Sequence, residues 1–209
     1  GLLEYDPETI TRIYQKNPKR LFKRLWQTLI PIFAYIFSVM WDKFTGRLKV
    51  ESQARFRARE LTNLLVELGP AFVKAGQALS TRPDIIPVVL LEELSQLQDQ
   101  LPGFDGNKAM ELIEEDLNQK IGELFISIDK EPISAASLGQ VHKAVLKNQE
   151  IVAVKVQRPG LREQITLDLY IVRNIAYWLK NNIGLIRSDL VALIDELGKR
   201  VFEEMDYLN

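Results

Sequence analysis

Apolar positions recur along this chain at two periods, and the change of period separates its regions. Over residues 49–68 they return every three or four positions: Leu61, Leu64, Leu65 and Leu68 form one stripe with arginines on the other side, as in an amphipathic helix. The same spacing predicts helices over 87–101, where Leu90, Leu91, Leu94 and Leu97 align, and over 107–118 and 161–181. Residues 182–187 link the last of these to a further helix that starts at Ser188, a suitable N-cap. A short helix introduced by Asp6-Pro7 is predicted over 7–19. Gly69-Pro70 ends one helix and begins the next, since glycine suits a C-cap and proline a first turn. Gly103 to Gly106 read as a turn.

Between 131 and 160 the period becomes two. Val152, Val154 and Val156 alternate with Ala153, Lys155 and Gln157, which puts the valines on one sheet face and Lys155 on the other. Ahead of them a small-residue turn separates two strands, and a hairpin through Lys147, Asn148, Gln149 and Glu150 leads to the third. The expected fold class is α+β: a helical N-terminal extension followed by a small antiparallel sheet with a helix after it.

Composition narrows the chemistry. With no cysteine, disulfides, thiolate sites and cysteine nucleophiles are excluded, and a single histidine argues against histidine-based zinc and a Ser-His triad; no metal-ligating set is expected. His142 reads as a strand surface residue. The net charge of -1 conceals an asymmetry: residues 1–60 carry 12 Lys and Arg against 6 Asp and Glu, leaving 15 against 22 for the rest. A basic first third suits anionic lipid or an acidic partner, although a solvated helical face would look the same. Residues 25–41 form a run of roughly 17 uncharged positions, the low end for a bilayer span. Gln27, Thr28, Pro31 and Ser38 dilute it, so an interfacial or protein-packed helix is expected, with a transmembrane span as the alternative.

Ser134, Ala135, Ala136, Ser137, Leu138 and Gly139 form a loop of mostly small side chains whose backbone N–H groups can approach a polyphosphate. Val-Ala-Val-Lys matches the third-strand lysine motif of protein kinases, in which the lysine binds the α- and β-phosphates. Upstream, Lys74 and Gln77 lie three apart on one helix face, able to reach a shared polar target. Gly76 between them costs about 1 kcal/mol against alanine, which calls for a reason such as close packing.

Lys74-Ala-Gly-Gln, then Leu-Ser-Thr-Arg-Pro-Asp, Ser-Ala-Ala-Ser-Leu-Gly-Gln-Val-His and Val-Ala-Val-Lys-Val-Gln-Arg-Pro-Gly occur in order. Together they resemble the UbiB family of atypical protein-kinase-like proteins, the aarF-domain-containing (ADCK-type) kinases. The likeness covers about residues 61–209, and only loosely the first 50. It implies a kinase-like small lobe whose glycine-rich loop is replaced by an alanine-rich one, with altered nucleotide selectivity. Lys155 would be the catalytic lysine. Ser134, Ala135, Ala136, Ser137, Leu138, Gly139 and Gln140, with Lys155, would bind ATP or ADP. Lys74, Gly76 and Gln77 would form a regulatory gate with Glu204 and Asp206, the Glu-x-Asp of helix C. The family's pairing glutamate for the strand lysine falls at position 210, just past the residues in hand.

Charge and apolar content set off a basic, helical region over 1–60, expected at a membrane, and the resemblance divides the rest into a helical extension over 61–122 and a truncated small lobe over 123–209. The resemblance also implies support of isoprenoid-quinone (ubiquinone or plastoquinone) metabolism. The expected partners are nucleotide, membrane lipid or proteins of that pathway, and no nucleic acid. The expected place is a cytoplasmic or organelle interior, peripheral to a quinone-containing membrane. No catalytic-loop or Asp-Phe-Gly motif occurs in the 209 residues. Mg2+ ligands are therefore expected in a missing large lobe, and these residues alone are not expected to turn over ATP. The competing reading is a non-enzymatic helical lipid-binding or scaffold module.

Overall fold

The structure, a computed structural model, describes residues 2, 4–16, 18–81, 83, 86–98, 102–182 and 190–207. Arg82, Asp84, Leu101, most of the 182–187 link and the Ser188 cap lie outside the described residues. Nine α-helices and four strands are described: α1 Pro7–Gln15, α2 Pro18–Phe44, α3 Glu51–Leu68, α4 Pro70–Ser80, α5 Val88–Ser95, α6 Gly106–Leu117, α7 Ile121–Leu124, β1 Phe125–Ile128, β2 Ser134–Ala135, β3 Gly139–Leu146, β4 Ile151–Gln157, α8 Leu161–Asn182 and α9 Leu190–Glu204. They form two compact units, Gly1–Ser95 with Arg162–Asn209, and Gln96–Leu161. The class is α+β, as expected.

In the helical unit the elements begin and end for local reasons. Asp6 caps α1 by accepting from the Glu8 N–H, and Pro7 fills the first turn. The helix expected over 7–19 is in fact two, because Pro18 starts α2. α5 stops at Ser95 and a short 3-10 turn, Gln96–Gln98, follows, so the helix expected over 87–101 is shorter than its leucine spacing implies. Between α3 and α4, Gly69 adopts φ 109°, where a side chain would be strained and its Cβ would meet the Gln164 amide.

Charged side chains lock the helices together. Asp42 of α2 is 1% exposed and accepts from Gln53 Nε2 at 2.7 Å and Arg57 Nε at 2.6 Å, both on α3. Arg24 of α2 donates Nε at 2.6 Å and Nη2 at 2.8 Å to the fully buried Asp168 of α8, and also to the Leu68 carbonyl closing α3. One guanidinium thus ties three helices, in the bidentate geometry that best offsets a buried carboxylate. Apolar packing joins α1 to α8 through Ile10, Tyr14, Leu167 and Ile171. None of the described helices is long and apolar enough to cross a membrane.

The sheet unit is built on β3, which pairs antiparallel with all three other strands. β4 runs along it from Gly139↔Gln157 to Val145↔Ile151. Three strands were expected; β1 is a fourth, whose register shifts between Phe125 and Ser127. The β3–β4 hairpin closes through Gln149 at φ 68°. Its register places Gln140, His142 and Ala144 on the same face as Val152, Val154 and Val156. Ala109, Met110 and Ile113 of α6 cover that face.

His142 is therefore not the surface residue that its setting suggests. It is 0% exposed, because its position opposite Val154 turns it into the core. Its Nδ1 stands 2.8 Å from the Asp129 carbonyl, which can only accept, so Nδ1 carries the proton and Nε2 accepts from Gln140 Nε2 at 3.0 Å.

Candidate functional site

Lys155 lies on β4 opposite Val141 of β3, with exposed Ala153 as its neighbour on the same face. Its parity is opposite to that of the valines packed under α6, so the expected placement holds. Burial of the valine face orients this strand, and the lysine follows from alternation alone.

The loop from Ser134 to Gly139 begins in β2, which pairs Ser134 with Val141 and Ala135 with Gln140. The Ala136 N–H donates to the Gly139 carbonyl at 2.8 Å, closing a tight turn. Ser134 and Ala136 face solvent, whereas Ser137 and Leu138 are buried. The Gln140 side chain is 1% exposed and fully committed: Oε1 accepts from the Phe104 N–H at 2.8 Å, and Nε2 donates to the Phe104 carbonyl at 3.2 Å as well as to His142. Gln140 thus supports the loop from beneath.

Arg158, quoted within the Gln-Arg-Pro-Gly motif but assigned no role there, completes the support. Its backbone N–H donates to the Leu138 carbonyl at 3.0 Å. The guanidinium donates Nε and Nη2 to the Ala136 carbonyl at 3.2 and 3.1 Å and Nη2 to the Pro102 carbonyl at 2.5 Å. It also lies over the Phe104 ring, 5.8 Å from the centroid. Partial burial pushes its pKa down, yet an arginine stays charged throughout the working range. The available signal was position: Arg158 follows Lys155 by three residues at the end of the strand that must meet the loop.

In the helical unit, Lys74 of α4 forms an ion pair with Glu204 at the end of α9. This is the contact that the resemblance implies for Lys74. Gly76 is buried and Gln77 half-buried on the same helix. Asp206 is not on the helix: α9 ends at Glu204, the Met205 N–H is shared between the Val201 and Phe202 carbonyls, and the Asp206 N–H turns back to Glu203. Tyr5 and Gly198 explain how α9 is held. The Tyr5 ring packs on Phe202 at 5.7 Å, its hydroxyl donates to Asp195 at 2.7 Å, and a Cβ at residue 198 would stand 2.6 Å from the ring. Glycine is required there by close approach.

Chemically, these parts offer a cation on a rigid strand and a braced loop with small, solvent-facing side chains, suited to phosphate oxygens. Among the described residues no group of three or more His, Asp or Glu side chains is placed to hold a metal ion.

Residues 96–209 match the family model for the ABC1 atypical kinase-like domain. The Synechocystis sp. protein sll0005 is 48% identical over 204 residues, 98% of this chain and 30% of that protein. The Arabidopsis thaliana chloroplastic aarF domain-containing protein kinase At1g71810 is 47% identical over 211 residues, 100% of this chain and 30% of that protein. The Arabidopsis chloroplastic protein ACTIVITY OF BC1 COMPLEX KINASE 3 is 42% identical over 205 residues, 98% of this chain and 29% of that protein. The chain thus spans about 30% of the length of the curated relatives it matches. With more than half of its residues inside the family model and the predicted strand, loop and Lys74 contacts in place, this chain belongs to the ABC1 (UbiB, aarF-domain-containing) atypical kinase-like family.

Proposed function

We propose that this chain supplies the nucleotide-contacting small-lobe portion of an ATP-dependent atypical kinase-like enzyme that supports isoprenoid-quinone metabolism. The observation that carries the reading is Lys155 on β4, paired across the ladder with the strand that issues from the alanine-rich loop. In that role the ammonium neutralises inner phosphates of ATP or ADP, and the loop N–H groups orient them. Arg158 and Gln140 act as positioning residues: they fix the loop backbone. Mg2+ would supply charge neutralisation between the phosphates when bound, with ligands from a large lobe.

The Lys74–Glu204 pair fits a regulatory gate, since it fastens α4 to the end of α9 by one exchangeable contact. Lys74 engages Glu204 through a single carboxylate oxygen, Oε2.

The test uses the protein extended to the length of its relatives, titrated with a fluorescent ATP analogue and Mg2+. Lys155→Ala is expected to weaken binding tenfold or more, about 1.4 kcal/mol. Unchanged affinity removes Lys155 from the site.

A further inference from the structure

The 27 residues of α2 carry two unlike faces. One holds Arg24, Thr28 and Asp42 against protein. On the other, Phe22, Trp26, Ile30, Phe33, Phe37 and Phe44 recur at helical spacing and remain between 50% and 86% exposed. From Phe22 to Phe44 that stripe runs about 33 Å at 1.5 Å per residue. Aromatic and aliphatic surface of that extent marks an interaction site.

Charge identifies the occupant. Exposed Lys16, Lys19 and Lys23 cluster at the start of the stripe, and exposed Lys43, Arg47 and Lys49 at its end. Between residues 16 and 50 the one acidic residue is Asp42, which is buried against Arg57 on the opposite face. Two copies of the stripe set face to face would bring cations against cations in either direction, which disfavours self-association. An anionic bilayer instead meets both ends with opposite charge. Trp26 and Trp41 lie towards opposite ends of the stripe, and indoles prefer the headgroup level. The helix cannot cross, because its other face carries the Asp42–Arg57 and Arg24–Asp168 pairs, which would be stranded in hydrocarbon.

We propose that α2 lies flat on an anionic lipid surface, its aromatic stripe sunk below the headgroups and its terminal cations among them. The inference stands on α2 alone and is independent of the nucleotide reading.

The full chain is floated with phosphatidylcholine vesicles and with vesicles of phosphatidylcholine and phosphatidylglycerol. Strong flotation is expected only with the second, and Phe33→Glu with Phe37→Glu is expected to lower it tenfold or more. Both positions are exposed, so the variant keeps its melting temperature; if it does not, Lys19→Glu with Lys23→Glu replaces it. In a Trp178→Phe background, lipid-borne bromine is expected to quench Trp26 and Trp41 at the same depth. No flotation of the parent chain, equal flotation of the variants, or very different depths for the two indoles overturns the proposal. So does a parent dimer that the Phe33 and Phe37 changes dissociate, which would assign the stripe to a second copy.

Discussion

Lys155 is placed by its neighbours in sequence, whereas Lys74 is placed by a partner far along the chain, Glu204. The sheet unit obtains its geometry from backbone pairing and a valine face, both local and repetitive. The helical unit depends on single charged side chains that meet across long stretches of chain: Arg24 with Asp168, Arg57 with Asp42, Arg173 with Asp195, Lys74 with Glu204. A lysine on a sheet therefore tolerates changes around it as long as alternation persists. A contact between helices is only as secure as the few pairs that set the helices.

The largest expected effect tests that dependence. Arg24→Ala leaves a fully buried Asp168 without its bidentate partner and the Leu68 carbonyl without its donor. Burial already pushes the Asp168 pKa up. A loss of about 3–5 kcal/mol is expected from thermal melting, with amide exchange in β3 and β4 unchanged. Parallel loss in both units would erase the distinction.

In the sheet unit, Val156→Ala removes 4%-exposed apolar volume and is expected to cost about 2 kcal/mol by denaturant melting. Arg158→Ala is expected to cost about 1–2 kcal/mol, and to speed amide exchange within the loop, by releasing the Ala136 and Pro102 carbonyls. A stability loss without faster loop exchange would deny Arg158 its positioning role.

The pH dependence sharpens the same contrast. Arg57 first, and then Gln53, hold the Asp42 carboxyl below its ordinary range. The unfolded chain thus binds that proton more tightly, so this contribution is present above the unfolded value and is lost as pH falls through the folded one. The melting temperature of the parent is expected to drop below about pH 4, and the drop to be shallower in Asp42→Asn. The smallest change is Lys74→Met. A half-exposed ion pair contributes about 1 kcal/mol or less, so melting is expected to move little while nucleotide affinity or selectivity shifts.

What the sequence reveals follows the same division. The helices and the face carrying Lys155 are legible because 3.6- and 2-residue periods are properties of the chain itself. His142 is not legible: Val141 and Val145 occupy the outer face of β3 while Gln140 and His142 are buried, the reverse of the usual pattern. Only the Phe104 backbone and the Asp129 carbonyl, brought in by folding, make that inversion affordable. β1 escapes because it is four residues long and irregular in register. Lys74 with Glu204 was accessible through family resemblance alone, and Arg24 with Asp168 had no signal. The helix expected to include Asp206 ends two residues early, at a turn no propensity marks.

The central claim is that Lys155 faces nucleotide phosphates. An acyl-phosphate derivative of ATP, which acylates a lysine held against the phosphates, tests it most directly on the protein extended to the length of its relatives. Peptide mapping is predicted to find Lys155 labelled ahead of every other lysine, with labelling blocked by excess ADP. Labelling that ADP does not block, or that falls on lysines other than Lys155, would contradict the account.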